Sequence, residues 1–473
     1  MVVGLEVHVQ LRTATKIFCP CATAFGAPPN SNTCPVCLAL PGALPVLNQA
    51  AVALAARAAL ALGCTVHETS IFARKNYFYP DLPKGYQISQ FDQPLATAGA
   101  LVVDAPDGTP RKIGITRVHM EEDAGKSIHD RYAGATAVDL NRSGVPLIEI
   151  VSEPDLRSPS EVGAWLRQLK LLLEYLEVSD ANMEEGSLRV DANVSARPRG
   201  ATALGTRTEI KNMNSFSGVE RALEAEFARQ CALLDRGGTT VQQTMLWDAG
   251  RGEVRPARAK EGSHDYRYFP EPDLLPLRLD PAWISSVLER LPELPRARRT
   301  RFREQFALSV YDAEVLTASR QLADYFEGVA RAHGDAKVAA NWVMGEVLAA
   351  LNESRLPIER FPVTPSALAA LLDLTRAGTV SHSAAKRIFA GMAATGEPPA
   401  AIAEREGLLQ VGDDAQLVEW IDAVLADHPG EARRFLGGEK KLLGVLVGLV
   451  MKRSGGRADP RKVNQLLSAR VAA

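Results

Sequence analysis

The chain has 473 residues, enough for about three domains at about 150 residues each. Lys and Arg number 54 and Asp and Glu 56, so the net charge of −2 excludes a protein that binds nucleic acid through its bulk charge. With 46% hydrophobic and 23% charged residues, the composition is that of a soluble globular protein, not of a disordered chain or a disulfide-dense scaffold. No secretory signal begins at residue 1, and the Ala/Leu-rich stretch 50–64 is too short to span a membrane, so we expect a cytoplasmic protein.

The first predicted element is a strand at residues 3–11, in which apolar and polar residues alternate. Because successive side chains of a strand point to opposite faces, Glu6, His8 and Gln10 share one face of this strand.

Four of the six cysteines lie close together, as Cys19-Pro-Cys21 and Cys34-Pro-Val-Cys37. In a reducing compartment, paired cysteines bind a metal more often than they form a disulfide. The Cys-x-x-Cys spacing directs two thiolates at one zinc ion. The spacer of the first pair is shorter than that of a usual zinc knuckle, so free or redox-active thiols are the alternative. We predict a structural zinc site, since four thiolates leave no open coordination position for water.

Aromatic residues make up only 6% of the chain but cluster in two segments. The first runs from Arg74-Lys-Asn-Tyr-Phe-Tyr-Pro80 to Gly85-Tyr-Gln87, and the second is Asp265-Tyr-Arg-Tyr-Phe-Pro270. Aromatic faces stack on nucleobases, and Lys or Arg neutralises phosphate, so both segments are candidates for binding a nucleotide. The alternative is a loop that packs onto the sheet through its aromatic rings.

Further strands repeat the alternation of the first. The polar residues that share a face within each of them are Arg117, His119, Glu121 and Asp123; Asp139 and Asn141; Glu149; Arg189, Asp191, Asn193 and Ser195; and Arg207, Glu209 and Lys211.

Glu149 is a carboxylate inside the apolar run 147–151, where an ionised group is costly unless it is paired or bound to a metal. If the strands converge, Glu6, His8, Glu121 and Glu149 together make an oxygen-rich magnesium site, because Mg²⁺ favours carboxylates combined with substrate phosphates. For any single strand, the alternative is an antiparallel sheet whose polar face contacts water.

The last third of the chain is rich in Ala and Leu at helical spacing, and the proline-bearing segment 291–295 marks the predicted boundary. The predicted helices contain Leu322, Tyr325, Phe326 and Val329; Leu417, Trp420, Ile421, Val424 and Leu425, capped at Asp413-Asp414; and a last segment that begins at Asp459-Pro460.

Two groups of basic residues occur in this part of the chain. They are Arg296, Arg298, Arg299, Arg301 and Arg303, and Lys440, Lys441, Lys452, Arg453, Arg457, Arg461 and Lys462. Such residues are either solvated helix faces or a contact with RNA that reads its shape.

Together these segments closely resemble the B subunit of the bacterial tRNA-dependent amidotransferase, the aspartyl/glutamyl-tRNA(Asn/Gln) amidotransferase. The matching motifs run in order over nearly the whole chain: Gly4-Leu-Glu-Val-His8, Arg74-Lys-Asn-Tyr-Phe-Tyr-Pro80, His119-Met-Glu-Glu-Asp-Ala-Gly-Lys126, Val138-Asp-Leu-Asn-Arg142, Ile148-Glu-Ile-Val-Ser-Glu-Pro-Asp155, Met183-Glu-Glu-Gly-Ser-Leu-Arg189, Lys211-Asn-Met-Asn-Ser215 and Asp265-Tyr-Arg-Tyr-Phe-Pro270.

The resemblance implies an α+β protein with three parts. A mainly antiparallel-sheet cradle domain at 1–292 holds the active site and a zinc loop at 19–37. An all-α helical linker follows at 293–324, and a YqeY-like helical tail at 325–473 binds tRNA. The resemblance also implies a heterotrimer with an amidase-type A subunit, which releases ammonia from glutamine, and a small C subunit.

The implied activity is phosphorylation by Mg-ATP of the side-chain carboxylate of Glu on tRNA(Gln) or Asp on tRNA(Asn), after which ammonia displaces the phosphate. The resemblance implies magnesium ligands at Glu6, His8, Glu121 and Glu149, and catalytic roles for His8, Glu121, Glu149 and Lys75. It implies zinc at Cys19, Cys21, Cys34 and Cys37. We expect Arg189 and Arg207 to contact ATP, and Lys75 to contact either the phosphate of ATP or the acyl end of the tRNA. We expect His8 either to orient a metal ligand or to accept a proton from ammonia.

Two other functions compete with this one. A zinc-stabilised scaffold that only positions tRNA for its partners needs no buried carboxylates. A ligase that activates some other carboxylate would accept a free acid in place of the aminoacyl-tRNA.

Overall fold

The computed structural model describes residues 1–104, 108–257, 266–410 and 413–471. The chain forms two compact units, Met1–Pro295 and Arg296–Ala473. The first unit is built on β-sheets with packed helices and the second is helical, so the predicted α+β class is confirmed. None of the helices in the described ranges combines the length and the apolarity that crossing a membrane requires.

The strands all belong to the first unit within the described residues. They are β1 (Val2–Gln10), β2 (Thr65–Val66), β3 (Thr69–Ser70), β4 (Phe72–Asn76), β5 (Tyr86–Gln90), β6 (Ala96–Asp104), β7 (Pro110–Glu122), β8 (Lys126–Tyr132), β9 (Ala135–Asp139), β10 (Pro146–Ser152), β11 (Leu188–Ser195), β12 (Thr208–Met213), β13 (Thr244–Asp248), β14 (Glu253–Pro256), β15 (Phe269–Pro270) and β16 (Leu277–Arg278).

The helices fall in both units, and α5 starts at the boundary between them. They are α1 (Gln49–Ala61), α2 (Pro159–Tyr175), α3 (Phe216–Asp235), α4 (Pro281–Glu289), α5 (Pro295–Gln305), α6 (Val310–Leu316), α7 (Arg320–His333), α8 (Ala336–Trp342), α9 (Leu348–Ser354), α10 (Pro365–Arg376), α11 (His382–Thr395), α12 (Pro399–Arg405), α13 (Asp414–Asp427), α14 (Pro429–Leu436), α15 (Leu443–Arg453) and α16 (Pro460–Val471). A π-helical turn at Val343–Val347 joins α8 to α9, and short 3₁₀ turns lie at Ile358–Arg360 and Lys440–Leu442.

Nine strands form the main sheet, in the order β14-β13-β12-β11-β1-β10-β7-β6-β2. Neighbouring strands are antiparallel except β12 and β13, which are parallel. A separate three-stranded sheet, β15-β4-β5, carries Lys75 on β4. The order places β10 between β1 and β7, so the polar residues of these three strands become neighbours.

One face of the main sheet is packed against helices. Val3, Leu5, Val7 and Val9 of β1 are buried in the same hydrophobic core as apolar residues of α1, α2 and α3. Glu6, His8 and Gln10 lie between them in the strand and therefore point to the opposite face. The hydrophobic core thus fixes which face of the sheet carries the polar side chains.

The segment 138–141 differs from its prediction as part of this polar face. It lies at the end of β9, which pairs with β8 in a two-stranded hairpin outside the main sheet. Asp139 accepts a hydrogen bond from the backbone of Asn30 at 3.0 Å, and Asn141 accepts one from the backbone of Asn32 at 2.8 Å. These polar side chains hold the loop that carries the cysteines.

The second unit contains two hydrophobic clusters. The first includes Phe302 and Phe326, and the second lies in α13 to α16. The predicted helices are present: α7 buries its predicted apolar face, Asp413 caps α13, and α16 begins at Pro460. Since Phe302 and Phe326 share one cluster, residues on both sides of the predicted division at 324 pack together. The boundaries of the linker and the tail stay a prediction.

Candidate active site

A cavity of about 490 Å³ lies against the polar face of the main sheet. The predicted residues that line it are Glu6, His8, Lys75, Glu121, Glu149 and Arg189. Strands β1, β7, β10 and β11 of the main sheet and β4 of the smaller sheet supply these side chains. The structure therefore brings residues from distant parts of the sequence, such as Glu6 and Arg189, together in one site.

The centre of the site is a group of two carboxylates and an imidazole. In the strand register, His8 lies opposite Glu149, and Glu149 lies opposite His119. The Nε2 atom of His8 is 3.2 Å from Oε1 of Glu121 and 3.4 Å from Oε2 of Glu149. One ligand atom from each of His8, Glu121 and Glu149 lies within 4.8 Å of the others, close enough to share one metal ion.

His8, Glu121 and Glu149 have pKa values that the neighbouring charges and hydrogen bonds shift. Burial opposes the charged form of His8, but hydrogen bonds with Glu121 and Glu149 outweigh it and raise the pKa of His8 to about 10. Burial likewise opposes ionisation of Glu121 and Glu149. The hydrogen bond from His8 nevertheless lowers the pKa of Glu121, and the charges of His119 and His8 hold that of Glu149 well below its usual value. Both carboxylates are therefore ionised at neutral pH.

Glu6 belongs to a neighbouring group and not to the one around His8. Its carboxylate lies with those of Asp191 and Glu209, again within 4.8 Å. Burial, and then the charge of Glu149, raise the pKa of Glu6. The ammonium of Lys211 is 2.6 Å from Asp191 and 3.0 Å from Glu209, so part of this negative charge is neutralised within the chain. The four residues predicted as one magnesium site are thus divided between two adjoining groups.

Asp123 anchors a cation at the edge of the site. Arg189 donates to Oδ1 of Asp123 at 2.9 Å, and Gln10 donates to Oδ2 at 2.9 Å. Burial disfavours the charged form of Arg189, but the charge of Asp123 raises its pKa above the ordinary value. The guanidinium is therefore held as a cation within the cavity.

Lys75 faces the cavity among aromatic rings. Its Nζ lies 5.1 Å from the centre of the Tyr266 ring and 5.9 Å from that of Tyr77. Burial opposes its charge, yet Glu121 and Glu149 raise the pKa of Lys75 above its ordinary value. Phe91 and Tyr268, which also line the cavity, stack with parallel rings 4.0 Å apart. The two predicted aromatic segments thus meet at the cavity, although Asp265 of the second lies outside the described residues.

Arg207 is the one residue predicted to bind ATP that the structure places elsewhere. It precedes β12, which begins at Thr208, its side chain is exposed, and it does not line the cavity. The predicted strand alternation included Arg207, whereas β12 begins one residue later, at Thr208. Its proposed contact with ATP stays a prediction, without support from the geometry of the site.

The predicted zinc ligands form a second cluster. The sulfur atoms of Cys19, Cys21, Cys34 and Cys37 lie within 4.8 Å of one another, and those of Cys34 and Cys37 are 3.9 Å apart. The backbone N–H of Cys34 donates to the sulfur of Cys37 at 3.1 Å. A hydrogen bond from the Cys19 thiol lowers the pKa of Cys37 to about 4, so this sulfur is a ready thiolate.

The basic residues near position 300 are held by carboxylates of neighbouring helices. Arg298 is buried and lies 2.6 Å from Asp324 and 2.9 Å from Glu327, and Arg301 also contacts Glu327. These two arginines stabilise the second unit, so the prediction that they contact tRNA has no support from the structure. Lys440, Lys441, Lys452 and Arg461 are exposed and make no ion pair within the described part of the chain.

Several residues of the site were not among those predicted to act in it. They are His119, Asp123, Asp191, Glu209, Lys211 and Phe91. A signal for most of them existed, because strand alternation places His119 beside Glu121, Asp191 beside Arg189 and Glu209 beside Lys211. Phe91 follows β5 and carries no such signal.

Comparisons with known proteins cover the whole chain. Residues 1–285 match the family described as "GatB/GatE catalytic domain", and residues 324–471 match "GatB domain". The chain is 54% identical over 472 residues to the B subunit of the aspartyl/glutamyl-tRNA(Asn/Gln) amidotransferase of Moorella thermoacetica, and the match covers 99% of each protein. It is 53% identical over 473 residues to the protein of the same name from Geobacter sulfurreducens, covering 99% of this chain and 98% of the relative.

Proposed function

Since this chain belongs to the GatB family, the B subunits of tRNA-dependent amidotransferases, we propose that it activates the side chain of an amino acid misacylated onto tRNA. The resemblance predicted from the sequence motifs is thereby confirmed. The names of the relatives specify aspartyl- and glutamyl-tRNA, and we assign Glu-tRNA(Gln), Asp-tRNA(Asn) or both to this chain as substrates. The products are Gln-tRNA(Gln) and Asn-tRNA(Asn), and we place the reaction in the cytoplasm, where translation uses them.

The observation that carries this proposal is the presence of carboxylates and cations in one cavity. Glu121 and Glu149 line it together with Lys75, Arg189 and Lys211. Carboxylates hold divalent cations, while Lys and Arg neutralise phosphate oxygens, so both halves of a site for Mg-ATP are available. Burial of these charges is costly, and a scaffold that only positions tRNA gains nothing from it.

We assign the magnesium ion to His8, Glu121 and Glu149, with Glu6 contributing from the adjoining group; His8 would bind as the neutral imidazole, so its proton would leave on metal binding. The donor set fits, since ionised carboxylate oxygens are the ligands that a hard divalent cation prefers. When bound, Mg²⁺ supplies neutralisation of the charge on the transferring phosphoryl group.

In this proposal, the chain's own residues orient the substrates and handle the proton. Lys75 and Arg189 neutralise phosphate oxygens of ATP. A carboxylate is a poor acyl donor because oxide is a poor leaving group. Transfer of the γ-phosphoryl group of ATP to that oxygen releases ADP and makes the oxygen part of a good leaving group. The ammonia nitrogen then forms the C–N bond, the bond between the acyl carbon and the phosphate oxygen breaks, and phosphate leaves. The raised pKa of His8 makes it a cation next to Glu121 and Glu149, so it orients these carboxylates; it accepts the proton lost by the ammonia only after its own proton has left.

We further propose that a partner supplies the ammonia. An amidase-type A subunit would release it from glutamine, and a small C subunit would complete a heterotrimer. The full enzyme would then be a ligase that forms a carbon–nitrogen bond with glutamine as the nitrogen donor. In support, Cys64 is buried in the core, Cys231 lies in α3 and does not line the cavity, and the other four cysteines are gathered in one cluster, so none of the six resembles a glutaminase nucleophile placed in the site.

We propose that Cys19, Cys21, Cys34 and Cys37 bind one structural zinc ion. A tetrahedral site with Zn–S bonds of about 2.3 Å separates its sulfur atoms by about 3.8 Å. The distance of 3.9 Å between Cys34 and Cys37 is compatible with that geometry before any adjustment. A full set of four thiolates gives the ion no position for water, so it would stabilise the loop without entering the reaction.

We propose that the predicted domains have different functions. The cradle at 1–292 is catalytic, the segment 293–324 is a helical linker, and the tail at 325–473 binds tRNA. The exposed basic residues of the tail support its role. Lys440, Lys441, Lys452 and Arg461 are available for phosphate contacts that depend on the shape of the RNA and not on its sequence.

The test is to co-express the chain with A and C subunits and to assay transamidation of Glu-tRNA(Gln) and Asp-tRNA(Asn) separately. We expect Glu121→Gln to lower ATP hydrolysis that depends on Glu-tRNA by about 100-fold or more, with tRNA affinity kept. The control is Glu220→Gln, because Glu220 pairs with Arg167 on the helical side of the unit.

Unchanged turnover in Glu121→Gln would contradict the catalytic role and favour the scaffold. Turnover with free Glu in place of Glu-tRNA would favour the ligase that activates another carboxylate. These two results are distinguishable, because the Glu121→Gln assay tests the role of one residue and the free-Glu assay tests the identity of the substrate.

A further inference from the structure

Lys16 is a fully buried lysine beside the cysteine cluster. Its relative exposure is 0%, and its Nζ donates to the backbone carbonyls of Asn32 at 2.7 Å and Leu140 at 3.4 Å. No carboxylate within the described residues makes an ion pair with it. A buried ammonium that meets only neutral acceptors is costly, so its charge calls for an anionic neighbour.

Two acidic groups lie near Lys16: the cysteine cluster, and Glu122, whose carboxylate pairs with Lys84. A Cβ atom placed on Gly144 would be 3.5 Å from Cδ of Lys16 and 3.6 Å from Cβ of Cys37, so both side chains pack against the same glycine. The backbone N–H of Lys16 also donates to the carbonyl of Cys21 at 2.9 Å. Lys16 therefore contacts both halves of the loop that holds the four sulfur atoms.

The negative charge of a zinc–thiolate site explains why a cation at this position would be stabilising. Four thiolates around one Zn²⁺ carry a formal charge of about −2, which an interior of low dielectric solvates poorly. Lys84 also lies near the cluster but pairs with Glu122. Lys16 pairs with no carboxylate within the described residues, so its charge is available to the sulfur atoms.

We propose that Lys16 is the counter-charge of the zinc–thiolate site and raises its affinity for the ion, an inference that rests on the zinc proposed above. Lys16 is a positioning residue, because it would not bind the metal itself. It would act on the metal by stabilising the charge of the thiolates and by holding the loop that carries them. Partners of this kind outside the ligand set typically change metal affinity about 10- to 100-fold.

The experiment measures the zinc dissociation constant of the full chain by competition with a chromophoric chelator. We expect Lys16→Met and Lys16→Gln each to bind zinc about 10- to 100-fold more weakly than the wild type, with Lys16→Arg close to the wild type. Lys170→Met is the matched control, because Lys170 also donates to two backbone carbonyls, those of Asp180 and Ala181, far from the cysteines in the sequence.

The variants separate charge from tethering. If Lys16 only ties the loop down by hydrogen bonds, Lys16→Gln, which keeps a donor, would bind zinc better than Lys16→Met, and Lys16→Arg would show no special rescue; that result overturns the proposal. Equal affinity in all variants overturns it as well. A wild type that binds no zinc would instead show that the zinc assignment itself is wrong. Circular dichroism of the metal-free proteins identifies any variant that fails to fold, and Lys16→Gln then replaces Lys16→Met.

Discussion

Arg189 donates a hydrogen bond from its guanidinium to Oδ1 of Asp123 at 2.9 Å, across the polar face of the main sheet. Arg189 lies on β11 and Asp123 follows the end of β7, so the contact is not part of a strand register. The contact holds Arg189 in the cavity as a cation whose remaining N–H groups can meet a phosphate.

Replacement of Arg189 by Gln is expected to weaken ATP binding. Hydrogen bonds to charged groups contribute about 1.5–3 kcal/mol, so the KM for ATP should rise about 10- to 100-fold. Arg207→Gln is the informative comparison. Its side chain is exposed and outside the cavity, so we expect an unchanged KM from steady-state kinetics of the complex. A rise in KM for Arg207→Gln alone would reverse this assignment.

The stacked pair of Phe91 and Tyr268 provides a second test of the cavity. If a nucleobase stacks on this pair, Phe91→Leu removes an aromatic face worth about 1–3 kcal/mol and raises the KM of that substrate about 5- to 100-fold. Measurement of KM separately for ATP and for aminoacyl-tRNA identifies which adenine is involved. Phe25→Leu, at a ring that is 74% exposed, serves as the control. Unchanged constants for both substrates would favour the alternative of rings that only pack the loops together.

The proposed zinc site at the cysteine cluster can be tested by measuring the metal content of the protein. Zinc analysis of purified protein should give close to one ion per wild-type chain and much less in Cys34→Ser, because a serine hydroxyl is a far weaker zinc ligand than a thiolate. Cys231→Ser is the matched control, since Cys231 lies in α3 and outside the cluster. Equal zinc content in the wild type and in Cys34→Ser would remove Cys34 from the set of ligands.

The alternation of side chains was sufficient to predict which residues of each strand share a face. It placed Glu6, His8 and Glu121 on the polar faces of their strands, because a strand with one buried face leaves no freedom in the direction of its side chains. The structure adds that these three residues line one cavity together with Glu149, which the sequence marked as a carboxylate in an apolar run. The order of strands is a different matter. That β10 lies between β1 and β7 depends on pairing between distant segments, which no local pattern contains. The division of the carboxylates into two groups therefore could not be predicted.

The places where the structure differs from the sequence pattern have related causes. At Arg207 the pattern continued past the start of β12, and at Asp139 the same alternation belonged to a hairpin that supports the cysteine loop. The arginines near position 300 illustrate a third limit. A run of basic residues does not reveal its partners, and for Arg298 these are carboxylates on another helix, Asp324 and Glu327. A run of basic residues thus predicts an exposed binding surface only when no carboxylate of the same chain packs against it.

Glu226 permits a prediction about stability that is independent of the active site. This carboxylate of α3 is fully buried and accepts hydrogen bonds from Thr208 at 2.8 Å, Gln230 at 3.0 Å and Arg229 at 2.7 Å. Burial favours the neutral form, but the bonds from Arg229, Gln230 and Thr208 outweigh it and lower the pKa of Glu226 below its ordinary value of 4.5. The ionised form is therefore the one that the fold stabilises.

Because the pKa of Glu226 is lower in the folded chain than in the unfolded one, its contribution is complete above about pH 4.5 and is lost as the pH falls through the folded value. At pH 7 we expect Glu226→Gln to lower the free energy of unfolding by about 1.5–3 kcal/mol, since a charged acceptor is replaced by a neutral amide whose NH₂ group faces other donors. The difference from the wild type should shrink in acid. Urea denaturation of both proteins at pH 7 and below pH 4.5 measures this, with Glu224→Gln, exposed on the same helix, as the control. A loss of equal size at both pH values would show that packing, and not the charge of Glu226, stabilises this part of the fold.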